Sequence, residues 1–234
     1  MSYVKKADVL DDKTPYNIYY PVNSTKLPPI TSETIPPEGI QSTSIDIGTK
    51  NFAIRIEKRF SDKRIETVLF KRIDFSNYDN VSKSGGTTRI DPLLVKEVQN
   101  YIMSIMDIVK YSRLVGIERQ LAVNYKATRI YQHILTIFLC NTDKFIYDDT
   151  IIFDIDPKLK SKELKCPKGY NQNFTKKWAI EKAIEICEYR KDYNSMEIIK
   201  KEKAKTKTKG DDLSDTLIQM EAWFIFNKGM RTSC

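Results

Sequence analysis

The run Ser44-Ile45-Asp46-Ile47-Gly48-Thr49-Lys50-Asn51 decides how the rest of this chain is read. Ile45 and Ile47 are β-branched and apolar, as an inner strand requires, and Gly48 allows a tight turn or close backbone approach to a ligand. Asp46 breaks that pattern. A carboxylate between two core residues is costly unless it is paired, hydrogen-bonded or on a metal, which makes Asp46 the first candidate for chemistry. The plainer alternative is an acid that only caps the turn. It loses ground because two further acidic anomalies occur later in the chain, each at the end of an element from which it can meet Asp46.

Outward from this run the pattern is one of strands. Apolar residues recur at strand spacing over 43–48, 52–58 and 65–73, separated by short polar turns such as Ser61-Asp62-Lys63, and predict a three-stranded antiparallel meander. Residues 77–89 read as a polar, mobile loop around Gly85-Gly86. Asp91-Pro92 then opens a helix with its cap and first residue, and Val98, Ile102, Ile105, Met106 and Val109 give it one apolar face. Leu114-Val115-Gly116-Ile117-Glu118 has the form of a buried parallel strand reached by a helical crossover, and an acid ends it. A helix over 123–140 with Ile130, Ile134, Ile137 and Phe138 inward, and a strand over 150–155, complete an α/β pattern with a mixed sheet flanked by helices.

The C-terminal third is basic. A helix is expected over 175–189, starting at Lys176-Lys177 and striped by Ile180, Ala183, Ile184 and Cys187. Residues 200–209 carry lysine at nearly every second position and read as a solvated, mobile loop overhanging the start of the last helix. Asp211-Asp212-Leu213-Ser214-Asp215 opens that helix, and Asp212 and Asp215, three apart, share one face of its first turn. A single acid there would be expected only to complement the helix dipole.

Composition bounds the partners. The chain has 234 residues, 41% of them hydrophobic, enough for a proper core, and a net charge of +8. Residues 157–210 hold 16 Lys/Arg against 7 Asp/Glu, a net of +9, so this segment carries the whole excess and points to a polyanionic partner. Cys140, Cys166, Cys187 and Cys234 include no CxxC pair and, with one histidine, His133, spell no zinc site; they read as thiols of a reducing intracellular compartment. No apolar run approaches the roughly 20 residues that cross a bilayer, so no membrane partner is expected, nor does the N-terminus carry the apolar core of a signal peptide. Residues 1–40, with Pro15, Pro21, Pro28, Pro29, Pro36 and Pro37, read as an extended arm. Tyr16, Ile18, Tyr19, Tyr20 and Val22 are too apolar for a pure linker and are expected to pack on the domain or a partner. The folded domain is placed at 41–228, with a short tail at 229–234.

A strand-borne Asp46, Glu118 ending a second strand, and the Asp212/Asp215 pair make a four-carboxylate constellation. Such acids repel one another at neutral pH unless cations intervene, and hard divalent ions with oxygen ligands are the natural solution. Two such ions roughly 4 Å apart clamp the attacking and leaving oxygens of a phosphoryl displacement. The lysine-rich segment beside them supplies affinity for a phosphate backbone.

The three motifs in order, Ile45-Asp46-Ile47-Gly48-Thr49-Lys50-Asn51, Gly116-Ile117-Glu118-Arg119-Gln120 and Lys209-Gly210-Asp211-Asp212-Leu213-Ser214-Asp215, resemble the RuvC-type Holliday-junction resolvases, nearest to the branch of poxviruses and fungal mitochondria. The resemblance spans about residues 43–226. It implies an RNase H-like fold, a homodimer making paired nicks in four-way and branched DNA, two magnesium ions for which manganese can substitute, and, for a viral chain, the host cytoplasmic replication site. By motif position Asp46, Glu118, Asp212 and Asp215 are the metal-binding acids, and Lys177, with Lys176 as the alternative, matches the lysine that assists at the scissile phosphate. No nucleotide cofactor is implied. The 40-residue arm and the lysine tract before Asp211 depart from the family pattern.

Two other classes compete. Asp-x-Gly-Thr after a strand also opens the phosphate site of actin and Hsp70-like ATPases, but the chain is too short for two such domains, has no second Asp-x-Gly loop, and leaves Glu118 and the late Asp pair unexplained. A catalytically silent junction-binding protein needs only the charge and the fold; loss of an acid would favour it, and none is missing.

Overall fold

The strand pattern folds as one sheet, and the sheet determines where the acids go. The computed structural model describes residues 16–20, 34–80, 89–121, 123–168, 171–205 and 210–229. Among these, β1 (Tyr16–Tyr20), β2 (Ile40–Asp46), β3 (Phe52–Arg59), β4 (Ile65–Ile73), β5 (Ser112–Glu118) and β6 (Ile151–Ile155) form a sheet in the order β1-β6-β5-β2-β3-β4. β2, β3 and β4 are antiparallel neighbours, the expected meander, while β2, β5 and β6 run parallel. Parallel neighbours need crossovers. α1 (Pro92–Ser104) and the short α2 (Met106–Val109) lead into β5, and α3 (Tyr125–Leu139) leads into β6. α4 (Pro157–Glu163), α5 (Gln172–Arg190), α6 (Tyr193–Lys205) and α7 (Asp211–Gly229) complete the α-helices among the described residues.

Successive strand side chains point to opposite faces, so the sheet has two cores. Ile45, Phe52, Ile54, Ile56, Val115 and Ile117 pack against α1, α2 and α3. Ala53, Leu114, Phe153 and Ile155 pack against α4 to α7. α7 is buried on most of its circumference, with Leu213, Leu217, Ile218, Met220, Ala222 and Trp223 inside. A Cβ on Gly116 of β5 would lie 2.9 Å from Ile155 Cδ1 and 3.2 Å from Met220 Cε, so the absent side chain is what lets α7 come down onto the sheet. The side of β3 that faces α7 carries charge. Arg55, Glu57 and Arg59 are buried there, with Arg55 paired to Asp192 at 2.6 Å and Arg59 to Glu221 of α7 at 2.6 Å.

Three expectations are corrected. The helix expected to run through Val109 breaks at Ile105, whose φ of −104° and ψ of 0° interrupt it, and resumes as α2. The helix expected over 175–189 starts earlier, where Asn171 caps α5 by accepting from Phe174 N at 3.0 Å. The lysine tract is not a loop at its start: Lys200–Lys205 end α6, which is anchored by buried Ile199 and by Asp192 accepting from Ser195 N at 3.2 Å. Lys207 and Lys209 lie outside the described residues, as does the Gly85-Gly86 loop. The apolar part of the arm packs on the domain, as expected, and does so as a strand of the sheet. Tyr16–Tyr20 pairs antiparallel with β6, and Asp154 accepts from Asn17 N at 2.9 Å, Tyr19 Oη at 2.8 Å and Tyr131 Oη at 3.0 Å. Cys140, Cys166 and Cys187 are free thiols, and Cys234 lies outside the described residues. No helix among the described residues is long and apolar enough to cross a membrane.

Candidate active site

Ile45 of β2 is opposite Ile117 of β5 in the parallel ladder. Asp46 and Glu118, one residue further along, therefore leave the carboxyl ends of neighbouring strands side by side, where open α/β sheets place their ligands. Asp212 on the first turn of α7 and Asp215 at the start of the second complete the set. Gly210, at φ +146°, makes the turn into that helix in a conformation that favours glycine. Ser214 closes it, its Oγ donating to Gly210 O at 2.6 Å. Asp46 and Asp212 line one cleft of about 300 Å³, with Gly48, Thr49, Lys50 and Asn51 of the turn after β2 and with Asn124 and Lys126 at the start of α3.

The cluster is short of positive charge. Burial, the neighbouring Glu118 carboxylate with its hydrogen bond, and Asp215 push Asp46 well above the usual carboxylate range. Burial followed by repulsion from Asp211 and Asp215 raises Asp212 to about 7. Asp215 is raised by burial and by Glu118, against the pull of Lys160. Glu118 alone is lowered: burial works against it, but Lys160 and the hydrogen bonds from Lys160 and Asp46 outweigh the cost.

Lys160 of α4 is the internal cation, with Nζ 2.9 Å from Glu118 Oε1 and 3.0 Å from Asp215 Oδ2. Of the two candidate lysines on α5, Lys176 faces the acids, pairing with Asp211 Oδ2 at 2.6 Å. Lys177 is exposed and makes no ion pair among the described residues, because adjacent helical positions point about 100° apart. Sequence reasoning missed Lys160 and the buried Asp211. Asp156-Pro157 carries the same cap signal as Asp91-Pro92 and would have placed α4, with Asp156 accepting from Lys158 N at 2.7 Å. Nothing local distinguishes Lys160 from the lysines around it.

Among the described residues no three acid, histidine or cysteine side chains surround one point as a metal ion requires. The ammonium of Lys160 stands between Glu118 and Asp215 instead. The donor set still suits a hard divalent ion. It is all oxygen, and burial first, then repulsion among the carboxyls, raises Asp46, Asp212 and Asp215, an effect that a nearby cation opposes.

Sheet order and crossover helices make a mixed six-stranded sheet flanked by helices, an RNase H-like arrangement, and the solved structures that share this fold include Holliday junction resolvases. The fowlpox virus resolvase, solved with substrate Holliday junction DNA, is 16% identical with a TM-score of 0.50, over 82% of this chain and 99% of that one. The yeast mitochondrial Holliday junction resolvase Ydc2 is 10% identical with a TM-score of 0.53, over 86% of this chain and 85% of that one. No protein-family model matches the sequence, and no curated protein sequence does.

Proposed function

We propose that this protein is a metal-dependent, structure-specific endodeoxyribonuclease that resolves four-way DNA junctions by paired symmetric nicks, working as a homodimer in recombination or replication. The observation that carries the proposal is that Asp46 and Glu118 leave neighbouring parallel strands side by side, Lys160 bridges Glu118 to Asp215, and Asp46 and Asp212 line one open cleft. Magnesium, or manganese in its place, held by these four acids would supply Lewis acidity at the phosphoryl oxygens and an ionisable water. The chain's own residues do the rest. Lys160 holds Glu118 and Asp215 in place, Lys176 holds Asp211 at the foot of α7, and Lys50 on the cleft wall offers a cation to the incoming phosphodiester. In the hydrolysis, water attacks phosphorus and one P–O ester bond breaks, leaving a phosphate monoester and a hydroxyl. The ATPase alternative has less support, since the neighbours of Asp46 that matter electrostatically are Glu118, Lys160 and Asp215, which a nucleotide phosphate loop does not require.

The test is direct. Labelled four-way junction, duplex and single strand are incubated with the protein in magnesium, in manganese or in EDTA. The expected products are two symmetric nicks in the junction, with either metal and not in EDTA. Equal cutting of duplex would remove junction selectivity, and intact substrates in both magnesium and manganese would overturn the nuclease reading.

A further inference from the structure

The segment after β6 carries Lys160 inward to the acids, and its outer side is built for something else. α4 ends in a reversal: Lys165 N–H bonds to Lys162 O, Cys166 N–H bonds to Ser161 O at 2.8 Å, and Lys165 is left-handed at φ 58°. Glycine usually takes that position, and here it holds a lysine. The reversal brings Lys165, Cys166 and Lys168 beside Lys158, Ser161 and Lys162, and these six residues line a cleft of about 520 Å³. Four of the six are exposed lysines, and none is acidic. Lys158, Lys165 and Lys168 have no ion-pair partner among the described residues, and Lys162 has only Glu163 at 3.8 Å.

We propose that this cleft is a phosphate-binding groove that holds a DNA sugar–phosphate backbone beside the acid cluster; the identification of the polyanion as DNA rests on the proposed nuclease function. Cations gathered around a concave surface without acids raise one another's energy, and an anion relieves that repulsion. Lysines on flexible stems suit a backbone, whose phosphates repeat in every sequence and need charge rather than shape. Position supports the same partner. Lys158 and Lys162 flank Lys160 on one short helix, so a phosphate in the groove lies within a turn of the residue that bonds Glu118 and Asp215. α4, which with the reversal after it carries three of the groove's lysines, follows β6 directly, whereas α6 is tied to the opposite edge strand β4 through Arg72 and Glu202 at 3.5 Å.

The experiment measures the affinity of the full chain for a fluorescent four-way junction and a matched duplex, by anisotropy in EDTA across a salt series, beside cutting in magnesium. The quadruple variant Lys158→Gln, Lys162→Gln, Lys165→Gln, Lys168→Gln is compared with the corresponding quadruple Lys→Arg variant, and thermal melting checks that both fold. Each phosphate that the protein no longer neutralises flattens the slope of log affinity against log salt by about 0.9 for duplex arms. The Gln variant is expected to give up two to four such phosphates, a slope change of roughly 2 to 4 in all, and at least about tenfold in affinity near 0.1 M salt. The Arg variant is expected to retain both. An unchanged slope in a folded Gln variant overturns the groove while leaving the nuclease reading intact. A flattened slope with a wild-type protein that never cuts sustains the groove and removes the nuclease. A wild-type protein with no affinity for either DNA overturns both.

Discussion

Asp212 is the acid whose charge the surrounding solution controls most directly, since burial and the neighbouring Asp211 and Asp215 raise it from 3.8 to about 7. The folded protein then holds a proton that the unfolded chain has already released, so this group's contribution is present below about pH 4 and is lost as pH rises through about 7. A displacement of roughly 3 pH units corresponds to about 4 kcal/mol at most, and partial exposure reduces it to about 2. Asp212→Asn is expected to melt at a higher temperature than wild type at pH 8 in EDTA and at the same temperature at pH 4; equal melting at both would show that Asp212 is not strained. For catalysis, Asp46→Asn, Glu118→Gln, Asp212→Asn and Asp215→Asn should each abolish junction cutting with binding retained. Wild-type cutting by any one of them removes that residue from the site. Lys160→Gln leaves Glu118 and Asp215 without their cation, a change that costs about 2–4 kcal/mol for largely buried pairs. Urea unfolding in EDTA at pH 8 measures that loss, and magnesium should restore more stability to this variant than to wild type.

Among the elements, α7 decides whether the acids meet at all. It carries Asp212 and Asp215, and its height over the sheet depends on Gly116. Its register is held by Glu221 on Arg59 and by Gln219 Nε2 donating to Ser44 Oγ at 3.3 Å. Gly116→Ala would press a methyl group against Ile155 and Met220, and overpacking of this kind costs about 1–3 kcal/mol. We expect a folded, DNA-binding variant that cuts at least about tenfold more slowly, because the acids on α7 shift away from those on the strands. A variant that loses stability and keeps its full cutting rate would show that the site tolerates movement of the helix.

For the whole molecule, two symmetric nicks require two active sites facing opposite strands, and two-fold symmetry in a protein commonly mirrors that of its DNA. Light scattering at micromolar concentration should therefore give about twice the chain mass of 27.3 kDa, free and on the junction. A mass near that of one chain in both conditions would remove the dimer. The same symmetry would place two lysine-lined clefts on the assembly, one beside each acid cluster.

Local pattern determined much of this protein. The meander, the parallel strand ending at Glu118, the crossover helices and the helix opening at Asp211 arise from apolar periodicity and cap residues, which act over a few positions and are readable in order. The four acids were visible for a related reason: a charge at a core position or a helix start is conspicuous against its immediate neighbours. Other features depended on contacts between residues far apart in the chain. Tyr16–Tyr20 became a strand because β6 offers a free edge and Asp154 offers acceptors, and neither is visible from the arm itself. Arg55, Glu57 and Arg59 could be buried because Asp192, 137 residues from Arg55, and Glu221, 162 residues from Arg59, arrive to balance them. Lys160 was one lysine among sixteen basic residues in its segment until packing turned it toward Glu118 and Asp215. Charge count is a property of composition, but which charge compensates which is decided only when tertiary packing excludes water from particular pairs.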